Sequence, residues 1–455
     1  MTRPPTLSLC LIARDEERFL GACLDSVRGV VDEMIVVDTG SRDATVEIAR
    51  AAGARVVDFP WVDDFAAARN AALAAATGDW VLVLDADERL AGDAGAQIRS
   101  ALSQPDLHCG LLPLHNATRL DAPPAAVLRG EHRDGEPILL PRLLRVDDAL
   151  AWKGAVHESV GAWLTDGRTA RTVPAPIVHY GYVEELQESR DKARRNRELL
   201  ERVCEAEPEA SVPRTYLARE WLRAGDPDRA LHHSTLAWEA LQAAWRGGGP
   251  RPSPIMTLNL HTWLLLSRGQ LDAARAVLEA AARQGLQHPN LRMLRASAAQ
   301  QDPATPPQEL LAAVQGLQEN LRQGGRTFVE EVNPGATSWG AATLLGDLLL
   351  RLDRAGEAEA AYRRALASSA AHRPALLGRA ESLVRSGRAR QGLQAAEPLL
   401  SGPEADAWYV AAAATAALGD RRTAASLLLQ TRGRPWDRVA RARRAAALLG
   451  QLTKG

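Results

Sequence analysis

Apolar runs and helical periodicities alternate between residues 7 and 105. Leu7 to Ala13 is an apolar run that ends in Arg14-Asp15-Glu16-Glu17, after which Phe19, Leu20, Cys23, Leu24 and Val27 fall on one helical face. A second run, Met34 to Val37, leads into Asp38-Thr39-Gly40-Ser41. Ser41 is placed to cap a helix that carries Asp43 in its first turn and Val46, Ile48 and Ala49 beyond it. Arg55 to Val57 predicts a third strand, Phe65 to Ala76 a third helix, and Trp80 to Leu84 a fourth, strongly apolar strand. Strand–helix units of this length predict an α/β domain, with a mainly parallel sheet covered by helices on both faces. Ligands of such sheets sit at the carboxyl ends of the strands.

Three of the apolar strands run into acid at that end: Asp15-Glu16-Glu17, Asp38, and Asp85-Ala86-Asp87. A single acid there is ordinary solvated surface, but three at equivalent positions point to one crevice. From Gly110 to Tyr182 the pattern changes. Strand-like runs at Leu111 to Leu114 and Ile138 to Leu144 flank a Pro-, Gly- and charge-rich segment, Ala122 to Pro137, that predicts an irregular active-site loop. A charged helix is expected from Val183 to Cys204.

Beyond Pro208 the pattern is helical and repetitive. Ala358, Tyr362 and Ala365 stand against Leu345-Gly346 at tetratricopeptide offsets, as do Trp408, Gly419 and Ala424; Gly225, Ala230 and Ala237; and Gly269, Ala274, Leu278 and Ala281, with a weaker unit at Gly387. Small residues let the helices of a hairpin approach, and large ones fill the next groove. The longer interval from Gly225 to Gly269 is expected to hold a loop at Trp245 to Pro250. Single hairpins cannot bury their apolar faces alone, so an all-α solenoid is expected.

Composition adds limits. A chain of 455 residues exceeds one ordinary core, and the formal charge of -1 without long charge blocks argues against a nucleic-acid footprint. Cys10, Cys23, Cys109 and Cys204 include no CxxC pair, so buried, reduced thiols are expected rather than a zinc site. Only seven uncharged residues precede Arg14 in the first apolar run, too few for a signal peptide, and no other run approaches a membrane span. A cytoplasmic protein is expected. Asn116-Ala117-Thr118 reads as a chance glycosylation sequon.

The chemistry centres on Asp85-Ala86-Asp87 at the end of the fourth strand. Residues i and i+2 leave a strand in the same direction. Two carboxylates so placed repel unless a cation lies between them, and such oxygen ligands suit Mg²⁺ or Mn²⁺. The metal would stabilise a departing diphosphate. Arg142 and Arg145, on the last strand-like run, could face phosphate.

Four segments, Leu11 to Glu17, Ile35 to Ser41, Asp64 to Asn70 and Gly78 to Glu88, together resemble family 2 glycosyltransferases, which have the GT-A fold. The resemblance extends over residues 6–185 and is to the subgroup that carries a tetratricopeptide tail and includes bacteriocin-peptide S-glycosyltransferases. It implies a GT-A catalytic domain at residues 1–185, a connecting helix at 186–207 and a tetratricopeptide-like domain at 208–455. It implies nucleotide-sugar contacts at Ala13, Asp15, Glu17, Asp38, Arg69, Asp85 and Arg142, with Asp38 on the base and Arg69 near the base or diphosphate. The family usually has asparagine where this chain has Asp15. Asp85, Asp87 and His179, the last in His179-Tyr180-Gly181-Tyr182, are the implied metal ligands. Glu158, in Trp152-Lys153-Gly154-Ala155-Val156-His157-Glu158, is the implied general base, acting with Asp87 in catalysis.

The expected activity is an inverting, metal-dependent transfer of sugar from a nucleotide-sugar donor, a UDP-sugar first, to an acceptor such as a peptide or protein docked by the repeats. A degenerate transferase serving as a repeat-based scaffold is the alternative, opposed by the retention of Asp85 and Asp87. A nucleotidyltransferase would need a basic, Gly-rich loop where Arg14-Asp15-Glu16-Glu17 stands.

Overall fold

The computed structural model describes residues 3–164, 167–181, 189–247, 254–323, 332–436 and 438–453. The chain forms two compact units, Met1–Ser253 and Pro254–Gly455.

The first unit opens with β1 (Leu7–Ala13), α1 (Leu20–Ser26), β2 (Glu33–Asp38), α2 (Thr45–Ala51), β3 (Arg55–Asp58), α3 (Phe65–Ala75) and β4 (Trp80–Val83). The four strands lie parallel in the order β3-β2-β1-β4. Alternation along β1 builds both cores. Leu7, Leu9, Leu11 and Ala13 face α1 through Leu20, Cys23, Leu24 and Val27, while Cys10 turns to the opposite layer with Ile35, Val37, Ala66 and Ala72. Burial on both faces explains why these strands read as continuous apolar runs.

Asp64 caps α3, its carboxylate accepting the Ala67 N–H at 2.9 Å. The cap expected at Ser41 is not used: α2 starts at Thr45, Asp43 accepts the Thr45 N–H at 3.0 Å, and the Ser41 hydroxyl accepts the Asp15 N–H at 3.0 Å. Ser41 is drawn off because the loop after β1 brings an unpaired backbone N–H next to it.

The sheet continues through β5 (Glu88–Leu90), α4 (Ala94–Leu102), β6 (Cys109–Ala117), α5 (Pro124–Leu128), β7 (Arg133–Arg145), α6 (Gly161–Leu164), β8 (Ala170–Thr172) and β9 (Ile177–His179). Here the order is β4-β7-β6-β9-β5, with β8 also on β6, and β7 runs antiparallel to both of its neighbours. The irregular loop expected at Ala122 to Pro137 is instead α5 followed by the first residues of β7. Pairing with β6 from Ala117↔Arg133 onward supplies backbone bonds that composition does not reveal. The mixed α/β sheet fits the GT-A fold expected from the sequence.

Three helices complete this unit: α7 (Ser189–Ala206), α8 (Ser211–Arg223) and α9 (Pro227–Gly247). The expected helix start at Val183 lies outside the described residues. Trp245 to Gly247, expected in a loop, form the last turn of α9, where Trp245 meets Trp238 edge-on at 5.6 Å.

The second unit is helical. It pairs α10 (Ile255–Ser267) with α11 (Leu271–Arg283), α12 (Pro289–Gln301) with α13 (Pro307–Arg322), α14 (Trp339–Arg351) with α15 (Ala355–Ser368), α16 (Arg373–Arg385) with α17 (Ala389–Ala396), and α18 (Ala405–Ala417) with α19 (Arg421–Leu429); α20 (Val439–Thr453) follows. This is the expected tetratricopeptide-like arrangement, with the α12–α13 hairpin unanticipated. Gly225 and Gly269 turn their hairpins at φ +78° and +68°. The tight packing foreseen from small residues is visible at Tyr362. Its ring would lie 2.6 Å from a Cβ at Gly346 and 2.2 Å from one at Gly378, so two glycines make its slot. No described helix is long and apolar enough to cross a membrane. All four cysteines are buried and free, and burial pushes the Cys10 and Cys109 thiols up to about 12.

Candidate functional site

The carboxyl ends of β1 and β2 carry acids spent largely on backbone. Asp15 sits at φ +56°, a left-handed conformation that asparagine and aspartate tolerate best. Its carboxylate accepts the Arg42 N–H at 2.7 Å, and Glu17 accepts the Ala44 N–H at 3.1 Å, so both tie down the approach to α2. Asp38 accepts the Gly40 and Ser41 N–H groups, each at 3.1 Å, and is 7% exposed. The Ala13 carbonyl accepts both the Thr39 N–H and hydroxyl.

The end of β4 is different: there side chains meet side chains. Arg69, on α3, and Arg142, on β7, are each 8% exposed and both reach Asp85, at 2.8 and 3.0 Å. Arg142 also contacts Glu88, which is 1% exposed and accepts the Asp85 N–H at 3.0 Å. Burial raises the Asp85 carboxyl, yet Arg142 and Arg69 outweigh it and hold the group well below the usual range. Glu88 goes the other way: burial, with the neighbouring Asp85 charge, pushes it up to about 7 against the pull of Arg142. Arg145 points elsewhere, with its guanidinium over the Trp80 ring and bonded to the Gln104 carbonyl.

Arg69 has a second carboxylate partner, Glu158, and lies over the Trp152 ring at 5.1 Å. Glu158 arrives on a short loop closed by reciprocal Lys153–Ser159 backbone bonds of 3.0 and 2.9 Å. Asn70 clamps the Trp152 backbone on both sides, at 3.0 and 2.8 Å, and the Phe65 N–H bonds the Ala155 carbonyl. His157, at φ +57°, stacks on Tyr216 of α8 with centroids 4.1 Å apart. Thus α3 and α8 together fix the loop that presents Glu158.

Asp87 and His179 meet at 3.4 Å, because β5 pairs with β9 in the register Glu88↔His179. Burial lowers the His179 pKa, but the Asp87 hydrogen bond and charge outweigh it and raise the group above its ordinary value. Its Nδ1 lies 2.8 Å from the Asn116 carboxamide oxygen, an acceptor for the Nδ1 proton, so loss of the Nε2 proton shared with Asp87 would free the Nε2 lone pair for a cation. Gly181 closes this corner: a Cβ there would lie 2.0 Å from Asp87 Oδ2 and 2.7 Å from His179 Nε2. A carboxylate oxygen and an imidazole nitrogen are donors that suit a divalent cation. Among the described residues, no three His, Cys, Asp or Glu side chains form a ready-made metal group, and the Asp85 oxygens are taken by arginine. The donor set therefore fits a metal to which Asp87 and His179 contribute.

Residues 8–132 match Glycosyl transferase family 2, and the helical region that follows fits that family with tetratricopeptide repeats. Over 272 residues the chain is 39% identical to a TPR repeat-containing protein of Synechococcus elongatus, covering 59% of this chain and 64% of that one. Over 224 residues it is 26% identical to the SPbeta prophage-derived glycosyltransferase SunS of Bacillus subtilis, covering 45% and 46%. The chain thus spans less than two thirds of the length of either relative. Glucosyl-3-phosphoglycerate synthase of Mycobacterium tuberculosis, solved with Mn²⁺, uridine diphosphate and glucosyl-3-phosphoglycerate, is 25% identical over 38% of this chain and 72% of that chain, at a TM-score of 0.29.

Sequence reasoning assigned no role to Glu88, Asn70, Asn116 or Gly181. Glu88, Asn70 and Gly181 lie inside the motifs named above, whereas Asn116 lies in the chance sequon. Nothing local marks Asn116, because its role arises only when β9 pairs with β6.

Proposed function

We propose that this protein is an inverting glycosyltransferase that takes a sugar from a UDP-sugar donor with the help of Mg²⁺ or Mn²⁺. The observation that carries the reading is the approach of Asp87 to His179 beside an arginine-braced Asp85 at the carboxyl end of β4. Three carboxylates (Asp85, Asp87 and Glu158) gather there around two guanidinium groups, and Asp87 is the one that neither guanidinium contacts. Asp87 and His179 Nε2 would hold the metal, which when bound would supply charge stabilisation to the departing diphosphate.

The chain's own groups would do the rest. Asp38, held by two backbone N–H groups, would accept the ring N–H of uracil and disfavour cytosine, whose ring nitrogen there is an acceptor. Ala13, Asp15 and Glu17 would shape the nucleotide side through the backbone they fix. Asp85 would face the ribose, and Arg69 and Arg142 would place buried positive charge near the diphosphate. Glu158 would take the proton from the acceptor nucleophile as the new bond forms at the anomeric carbon and the bond to diphosphate breaks on the opposite side. One guanidinium, that of Arg69, would couple the donor-side Asp85 to the acceptor-side Glu158. The acceptor is a polypeptide docked by the helical repeats.

Slow hydrolysis of a panel of nucleotide sugars tests the reading. Release of UDP from one of them, dependent on Mn²⁺ and abolished by EDTA, is expected; no turnover of any donor opposes it.

A further inference from the structure

The second unit holds an ionic cluster that its solenoid core does not require. Asp347 on α14 and Glu381 on α16 are each the ninth residue of their helix, 34 positions apart, so successive hairpins present an acid at the same place. Asp406 on α18 adds a third acid, and all three are at most 7% exposed. Into this spot come arginines from the start of α20. Arg441, 1% exposed, donates to Glu381 at 2.7 Å and to Asp406 at 3.1 Å. Arg438 donates to Asp347 at 2.9 Å, where the Tyr362 hydroxyl also donates at 2.7 Å, and Arg444 reaches Glu381.

Stability alone does not account for this arrangement. Buried ion pairs add little over well-packed apolar groups, and the neighbouring core is built of alanine and leucine. The apolar side of α20 lies further along, at Ala445, Leu448, Leu449 and Leu452. Its first turn carries no acid. Cations at a helix amino end oppose the helix dipole, so the acids of α14, α16 and α18 are what compensates this turn. Were α20 to leave, Glu381 and Asp406 would lose the Arg441 guanidinium and Asp347 would lose Arg438 while keeping the Tyr362 hydroxyl, at a cost that favours any guanidinium able to replace them.

We infer that Asp347, Glu381 and Asp406 form a recognition site for arginines spaced three apart on one helical face. In this chain α20 fills the site, and a partner polypeptide bearing such a helix takes it when α20 is displaced. The inference rests on the second unit alone and is independent of the transferase reading.

The test uses the full chain and a fluorescent peptide spanning residues 436–455. Because a resident helix lowers apparent affinity by the fraction of sites it leaves open, the peptide binds a full chain carrying Arg441→Gln about tenfold or more tightly than the unaltered chain. Adding Glu381→Gln to that chain removes the binding. Equal binding by the unaltered and Arg441→Gln chains, or none by either, overturns the inference. Should the Arg441→Gln chain fail to fold, hydrogen exchange of the unaltered chain decides. A displaceable α20 exchanges well before α14, α16 and α18, whereas exchange in concert with them makes it a permanent part of the fold and overturns the proposal. Concentration-dependent dimers joined by exchanged α20 helices overturn it too, since the site would then be reserved for copies of this chain.

Discussion

Replacing Arg69 by methionine removes one guanidinium from between two carboxylates while keeping most of the side-chain volume. Arg69 is 8% exposed, bonds Asp85 at 2.8 Å, contacts Glu158, and lies over Trp152. The two acids are affected unequally. The Asp85 side chain is 39% exposed and keeps Arg142, so its loss is close to that of a surface pair, about 0–1 kcal/mol. The Glu158 side chain is 13% exposed, and Arg69 is its ion-pair partner. Stranding a buried charge costs about 3–5 kcal/mol, and water reaching this partly open loop puts Glu158 near the lower figure, about 3 kcal/mol. With the lost cation–π contact, of about 0.5–1 kcal/mol, the sum is about 4 kcal/mol. A unit of this size loses roughly 2–4 °C per kcal/mol, so its calorimetric transition should fall by about 8–16 °C. Arg69→Met combined with Glu158→Gln should recover about three quarters of that loss, because the stranded carboxylate is gone. A single-variant shift below about 2 °C, or no recovery in the double variant, would refute the coupling of the two acids through Arg69.

Gly181→Ala should weaken Mn²⁺-dependent UDP binding at least about tenfold in calorimetry while leaving the melting temperature nearly unchanged, since its Cβ would meet Asp87 and His179 rather than the core. Mn²⁺ affinity should fall about tenfold per pH unit below the raised His179 pKa, as proton and metal compete for Nε2; a pH-independent affinity would remove His179 from the metal. The same shift stabilises the fold at pH values below the unfolded histidine pKa, and that contribution fades as pH rises through the folded value. Asp38→Asn should weaken UDP binding by about 1–3 kcal/mol, and unchanged affinity would exclude base recognition by this residue.

The first four strands were legible because each is a local apolar run buried on both faces, as Leu7–Ala13 and Trp80–Val83 illustrate. The three-residue strands β5, β8 and β9 carry no such signal; they exist because of partners far along the chain, as in Glu88↔His179. That same pairing brings Asp87, His179 and Asn116 together, so the motif residues could be named from sequence while their contacts could not. Asp85 shows the difference most sharply. Its spacing with Asp87 suggested one shared cation, yet the β7 strand brings Arg142 to Asp85 and the β5–β9 pairing gives Asp87 to His179. In the second unit four hairpins were legible from their small residues, whereas the α12–α13 hairpin was not, nor was the ionic cluster, because Arg438 and Asp347 are 91 positions apart.

The central claim is that Asp87 and His179 hold a divalent cation against a nucleoside diphosphate. Isothermal titration of UDP into the protein, with Mn²⁺ and then with EDTA, for the unaltered chain and for Asp87→Ala, tests it most directly. The account predicts binding that requires Mn²⁺ and falls at least about a hundredfold in Asp87→Ala, with the melting temperature preserved because Asp87 sits beyond the end of β4 rather than in the core. UDP binding of equal strength in EDTA, or in Asp87→Ala, would contradict it.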